Sequence, residues 1–132
     1  MSKPVILCVD DEPLILETLK TELRNRFAGR FTYETAMDGE EALGLIEELV
    51  GEGVTIVLLV SDWLMPGIRG DELLEIVHRR WPTIRAILVT GQADRSAIDR
   101  VLQGAWASHV IPKPWRSEEL LNVVEQLCSA AP

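Results

Sequence analysis

The sequence is short of several things, and each shortage removes a class of function. Two cysteines in 132 residues, Cys8 and Cys128, build no disulfide framework and show no metal-binding spacing. Cys8 lies in an aliphatic run and reads as a small buried apolar residue, and the overall usage fits a reducing compartment. The two histidines, His78 and His109, have no ligand partners at metal spacing and read as surface or packing residues. Basic residues are outnumbered, 13 Lys and Arg against 21 Asp and Glu, for a formal charge of −8. With no basic stripe either, nucleic acid and anionic membranes are poor partners. No apolar run approaches the length of a bilayer span. The first strand starts almost directly after Met1-Ser2-Lys3-Pro4, so no secretory leader is expected and the cytoplasm is the expected location.

What remains is a chain of ordinary globular composition, 47% apolar and 26% charged, with the length of one domain over residues 1–132. Short aliphatic runs alternate with helical patterns. Val5-Ile6-Leu7-Cys8-Val9 predicts a first strand, and Pro13 opens a helix with Leu14, Ile15, Leu19 and Leu23 at helical spacing. Phe31–Ala36 alternates as a second strand, and Asp38 is placed to cap a helix that Gly51 and Gly53 stop. Ile56-Val57-Leu58-Leu59-Val60 is the most apolar run and predicts a central strand covered on both faces. Gly70-Asp71 leads into a helix from Glu72 to His78, which ends before Pro82. Ala86–Val89 and Val110-Ile111 predict two further strands, with helices near 95–103 and around Leu120–Leu127.

Five βα units without repeat or linker imply one doubly wound, five-stranded parallel α/β sheet with helices on both faces. Pro112 cannot donate to a ladder, so its strand belongs at an edge. A flavodoxin-like order of 2-1-3-4-5 puts it there and opens a crevice between strands one and three. Asp10, Asp11, Asp62, Thr90 and Lys113 each fall at or just after a strand end, so the sheet gathers them at its carboxyl edge, where such folds bind ligands. Three carboxylates, a hydroxyl and an ammonium together form a site for a divalent cation and a phosphoryl group.

Each residue alone has a plainer reading. Asp10-Asp11 can be a helix cap beside a turn, Asp62 a turn residue before Met65-Pro66-Gly67, Thr90 a strand-end turn before Gly91, and Lys113 a solvated surface lysine. Taken together those readings require four coincidences at one edge of one sheet. Glu12 reads equally as a residue close to the metal or as an acid favoured by the helix dipole.

The set Asp10-Asp11-Glu12-Pro13, Ser61-Asp62-Trp63-Leu64-Met65-Pro66-Gly67 with Gly70, Thr90-Gly91 and Lys113-Pro114-Trp115 resembles the receiver domain of two-component response regulators over essentially the whole chain. The resemblance implies that Asp62 is the phosphoacceptor. It implies a Mg²⁺ ion, for which Mn²⁺ could substitute, held by Asp10, Asp11, Asp62 and the backbone carbonyl of Leu64. Thr90 and Lys113 then contact the phosphoryl group, and the Lys113–Pro114 bond is expected to be cis. It further implies a sensor histidine kinase as donor, a downstream effector, room for a homodimer, and autodephosphorylation rather than turnover of a separate substrate. No output domain lies in these residues, which suits a stand-alone regulator or the N-terminal piece of a longer protein. Val110 stands where many receivers carry an aromatic switch, leaving His109 or Trp106 as substitutes. The face of the fourth helix, fifth strand and fifth helix, with Trp106 and Trp115, is the expected signalling surface. Trp63 is expected to turn away from Asp62 at the pocket rim.

Three other readings stay open. A haloacid-dehalogenase-like phosphatase would place Asp-x-Asp after the first strand, where this chain has Asp10-Asp11-Glu12. A flavodoxin would need a Ser/Thr/Gly phosphate loop in that place. A pseudo-receiver would only bind a partner.

Overall fold

Odd and even residues of the first strand serve different cores, and this explains the layering. In the computed structural model, which describes residues 3–91 and 95–129, β1 (Val5–Val9) is buried along its whole length. Side chains alternate across a strand. Val5, Leu7 and Val9 therefore pack into one apolar cluster, and Ile6 and Cys8 into the other.

The remaining elements follow as α1 (Pro13–Phe27), a 3-10 turn at Ala28–Arg30, β2 (Thr32–Ala36), α2 (Gly39–Gly51), β3 (Ile56–Asp62), α3 (Gly70–Arg80), β4 (Arg85–Thr90), α4 (Arg95–Gln103), β5 (His109–Pro112) and α5 (Ser117–Ser129). All strands are parallel in the order β2-β1-β3-β4-β5, the expected doubly wound arrangement. α2, α3 and α4 cover the first cluster through Ala42, Ile46, Leu73, Leu74, Val77 and Val101. α1 and α5 cover the second through Leu16, Leu19, Leu23, Phe27, Leu120 and Val124. Pro112 lies on β5, which pairs with β4 alone, so its missing N–H costs no ladder bond. Among the described residues, no helix is long and apolar enough to cross a membrane.

Local chemistry sets most boundaries. Pro13 occupies the first turn of α1, and the Asp38 side chain accepts from Glu41 N at 2.8 Å to cap α2. Gly51 is still helical. The stop is Gly53, at φ 81°, flanked by Gly53 N→Val50 O and Val54 N→Leu49 O bonds of a left-handed cap. β3 runs two residues past the aliphatic run, through Ser61 and Asp62, because both remain paired with β4 or β1.

Candidate functional site

Strand ends build the site. β1 stops at Val9, and Asp10 continues its line: Asp10 N donates to Ala36 O at 3.1 Å, and Asp10 Oδ1 accepts from Glu12 N at 2.9 Å. That turn leaves Glu12 as the capping position of α1, without a side-chain cap bond of its own. Asp62 is the last residue of β3, and Thr90 the last of β4. Lys113 follows β5, tied to β4 by Lys113 N→Thr90 O at 3.1 Å, and the Lys113–Pro114 bond is cis.

These residues meet in one cleft of about 410 Å³, lined by Asp11, Glu12, Asp62, Leu64, Thr90, Gly91 and Lys113. One carboxylate oxygen from each of Asp10, Asp11 and Asp62 lies within 4.8 Å of the other two. Lys113 Nζ sits between two of them, 2.8 Å from Asp10 Oδ2 and 3.2 Å from Asp62 Oδ1. Asp10, Asp62 and Thr90 are buried, and Asp11 is partly exposed at the mouth.

The charges act on one another in this half-dry space. Burial, and then the neighbouring Asp10 charge, push the Asp62 carboxyl above the usual carboxylate range, while Lys113 pulls it back. For Lys113, burial alone would lower the ammonium's pKa. The Asp10 hydrogen bond and the Asp62 and Asp10 charges outweigh that loss and hold it above its ordinary value. Clustered hard oxygen donors of this kind suit a divalent cation such as Mg²⁺ or Mn²⁺.

Two glycines set the course of the chain between β3 and α3. Gly67, at φ 80°, follows Pro66 in the turn after β3 and takes a conformation that favours glycine. Gly70 packs directly on β3: a Cβ there would lie 2.0 Å from Asp62 O, and Gly70 N donates to Trp63 O at 2.7 Å.

The remaining expectations are modified by packing. Trp63 packs against the α2–α4 cluster, outside the cleft lining, and its Nε1 donates to Asp71 Oδ1 at 3.0 Å. Trp106 and Trp115 pack against different apolar clusters. Both are half-buried, Trp106 against the α2–α4 cluster and Trp115 against the α1–α5 cluster with its Nε1 on Glu22 Oε1. They lie on opposite faces because the edge strand between them is covered on both sides. Val110 packs on the α2–α4 side with Trp106, whereas His109 is two residues from Ile111 and shares the other face. The sequence pattern missed Asp71, a carboxylate that is buried in the first turn of α3 and bonded by Trp63, Arg69 and Arg100.

A parallel five-stranded α/β domain with an acidic, lysine-bridged cleft at its carboxyl edge defines a narrow class. A family model for the response regulator receiver domain matches residues 6–125, and the chain belongs to that family, a signalling domain of two-component systems. It is 32% identical over 125 residues to the hydrogenase transcriptional regulatory protein HoxA of Cupriavidus necator, covering 95% of this chain and 24% of that protein. It is also 32% identical over 122 residues to the sensor kinase CckA of Brucella abortus, covering 92% of this chain and 12% of the kinase. The chain thus spans a quarter or less of these relatives. Among solved structures, a CheY-like response regulator receiver domain protein from Methanospirillum hungatei superimposes with a TM-score of 0.83 at 32% identity, covering 97% of this chain and 95% of that one. The signal receiver domain of an HD domain-containing protein from Pseudomonas fluorescens gives 0.84 at 28% identity, covering 96% and 95%.

Proposed function

We propose that the domain accepts a phosphoryl group from the phosphohistidine of a sensor histidine kinase onto Asp62, in the cytoplasm, and passes the change to an effector or a second copy of itself. The observation that carries this reading is Lys113 Nζ held between Asp10 and Asp62 beside a third carboxylate, in a cleft open to solvent.

Asp62 is the nucleophile because it ends β3, at the centre of the sheet, where its carboxylate meets Lys113 Nζ at 3.2 Å beside the Asp10 and Asp11 carboxylates. Its oxygen forms a bond to phosphorus as the P–N bond of the donor breaks and the electron pair returns to the imidazole. Asp10, Asp11, Asp62 and the carbonyl of Leu64 would hold Mg²⁺, which when bound supplies positive charge against the carboxylates and the phosphoryl oxygens. Lys113 then exchanges its contact with Asp62 for a phosphoryl oxygen, and the Thr90 hydroxyl donates to another. Transfer and later hydrolysis both take place on the protein's own side chain. Trp106, on the same face as Val110, is the aromatic placed to follow the event, in preference to His109.

Acetyl phosphate or a phosphorylated kinase should label the wild-type protein only when Mg²⁺ is present, and Asp62→Asn should abolish the label. Acid-stable labelling that persists in Asp62→Asn would move the acceptor to a hydroxyl and end this reading.

A further inference from the structure

Asp71 is a buried charge outside the cleft that draws donors from two further elements of the chain. Its side chain is 2% exposed. Oδ1 accepts from Trp63 Nε1 at 3.0 Å and from Arg69 Nε at 3.2 Å, and Oδ2 accepts from an Arg69 guanidinium nitrogen at 3.4 Å and from one of Arg100 at 3.3 Å. Trp63 and Arg69 belong to the loop between β3 and α3, and Arg100 lies on α4. A carboxylate removed from water is costly unless charged and hydrogen-bonded partners replace the solvent. An apolar side chain would fill the position without that cost, so what Asp71 adds is a tie between the loop and α4.

Both ends of that tie matter. The loop begins directly after Asp62 and carries Leu64 on the cleft wall, and the Gly70 N–H closes it on Trp63 O. α4 is only nine residues long and buries just Ala97 and Val101. To that small apolar anchor Arg100 adds a polar contact from the helix to Asp71.

We propose that Asp71 is a positioning residue that couples α4 to the loop forming the wall of the cation and acceptor site, through Arg100 on one side and Trp63 on the other. The proposal rests on the reading of Asp62 as acceptor and adds the route by which α4 and that site sense each other. Coupling of this kind is reciprocal: a loop shift on binding alters the hold on α4, and loosening α4 alters binding at a cleft that Arg100 does not line.

The indole N–H resonance of Trp63, assigned by its loss in Trp63→Phe, reads the tie directly in a ¹⁵N-edited spectrum of the whole chain. Arg100→Ala, at a side chain 57% exposed, should shift that resonance, speed its exchange with solvent, and weaken apparent Mg²⁺ affinity by about two- to fivefold. Arg100→Lys should restore most of both. Asp71→Asn keeps the shape, removes the charge, and should weaken Mg²⁺ affinity at least as much. An unchanged Trp63 resonance in Arg100→Ala overturns the coupling, and so does wild-type Mg²⁺ affinity in both Arg100→Ala and Asp71→Asn. Should the wild-type protein neither bind Mg²⁺ nor accept phosphate, the acceptor reading falls, and the indole resonance alone decides whether the tie exists.

Discussion

Replacing Gly70 by alanine adds one methyl group where the chain has no space for it. The new Cβ would lie 2.0 Å from the carbonyl oxygen of Asp62 and 2.8 Å from both its carbonyl carbon and Trp63 Cα, whereas ordinary contacts begin at 3.4 Å. All three are backbone atoms, so no rotamer change relieves the overlap. The loop must lift off β3 by roughly an ångström, breaking the 2.7 Å bond from Gly70 N to Trp63 O. Overpacking of this kind costs about 1–3 kcal/mol. For a domain of this size that predicts a melting temperature lower by about 4–11 °C. A displacement of about 1 Å at a reacting group also costs about 10²-fold in rate, so acetyl phosphate labelling measured below the melting transition should fall by that order. Differential scanning calorimetry and a labelling time course on one preparation separate the two effects. Wild-type melting together with a wild-type labelling rate would refute the claim that Gly70 sets the loop against the acceptor.

Gly44→Ala offers the opposite case: its Cβ meets nothing within 4 Å inside α2, so helix propensity should raise stability by about 0.5–1 kcal/mol in chemical denaturation. Lys113→Ala should keep or strengthen Mg²⁺ binding, because a cation leaves the carboxylates, yet lose most of the phosphorylation-dependent change in amide exchange; equal loss of both would make Lys113 structural. Thiol reagents at neutral pH should modify half-buried Cys128 first and Cys8 only on unfolding, since Cys8 is fully buried and burial pushes its thiol up to about 12; equal labelling rates by mass spectrometry would contradict this packing.

The architecture was legible because the strands are aliphatic runs at regular intervals, and Pro112 placed the edge that the strand order required. The ion pairs of Lys113 with Asp10 and Asp62 follow from topology, since parallel strands deliver their ends to one side. Other features depend on contacts that no local pattern carries. Apolar counting ended β3 at Val60, but ladder pairing with neighbours extends the strand through Asp62. Trp106 and Trp115 look alike in the chain, and only the two-sided cover of β5 separates them. Asp71 reads as an ordinary first-turn acid. Its burial depends on Trp63 and Arg100, which arrive from other elements.

The contact between Lys113 and Asp10 joins residues 103 apart in sequence. Until the fifth strand has docked, a growing chain can assemble β1 and β3 with their carboxylates side by side, but it has no ammonium to set between them. Like charges at one sheet edge repel, and the arrival of Lys113 converts that repulsion into attraction. The same residue that would meet the phosphoryl group therefore makes docking of the last βα unit more favourable.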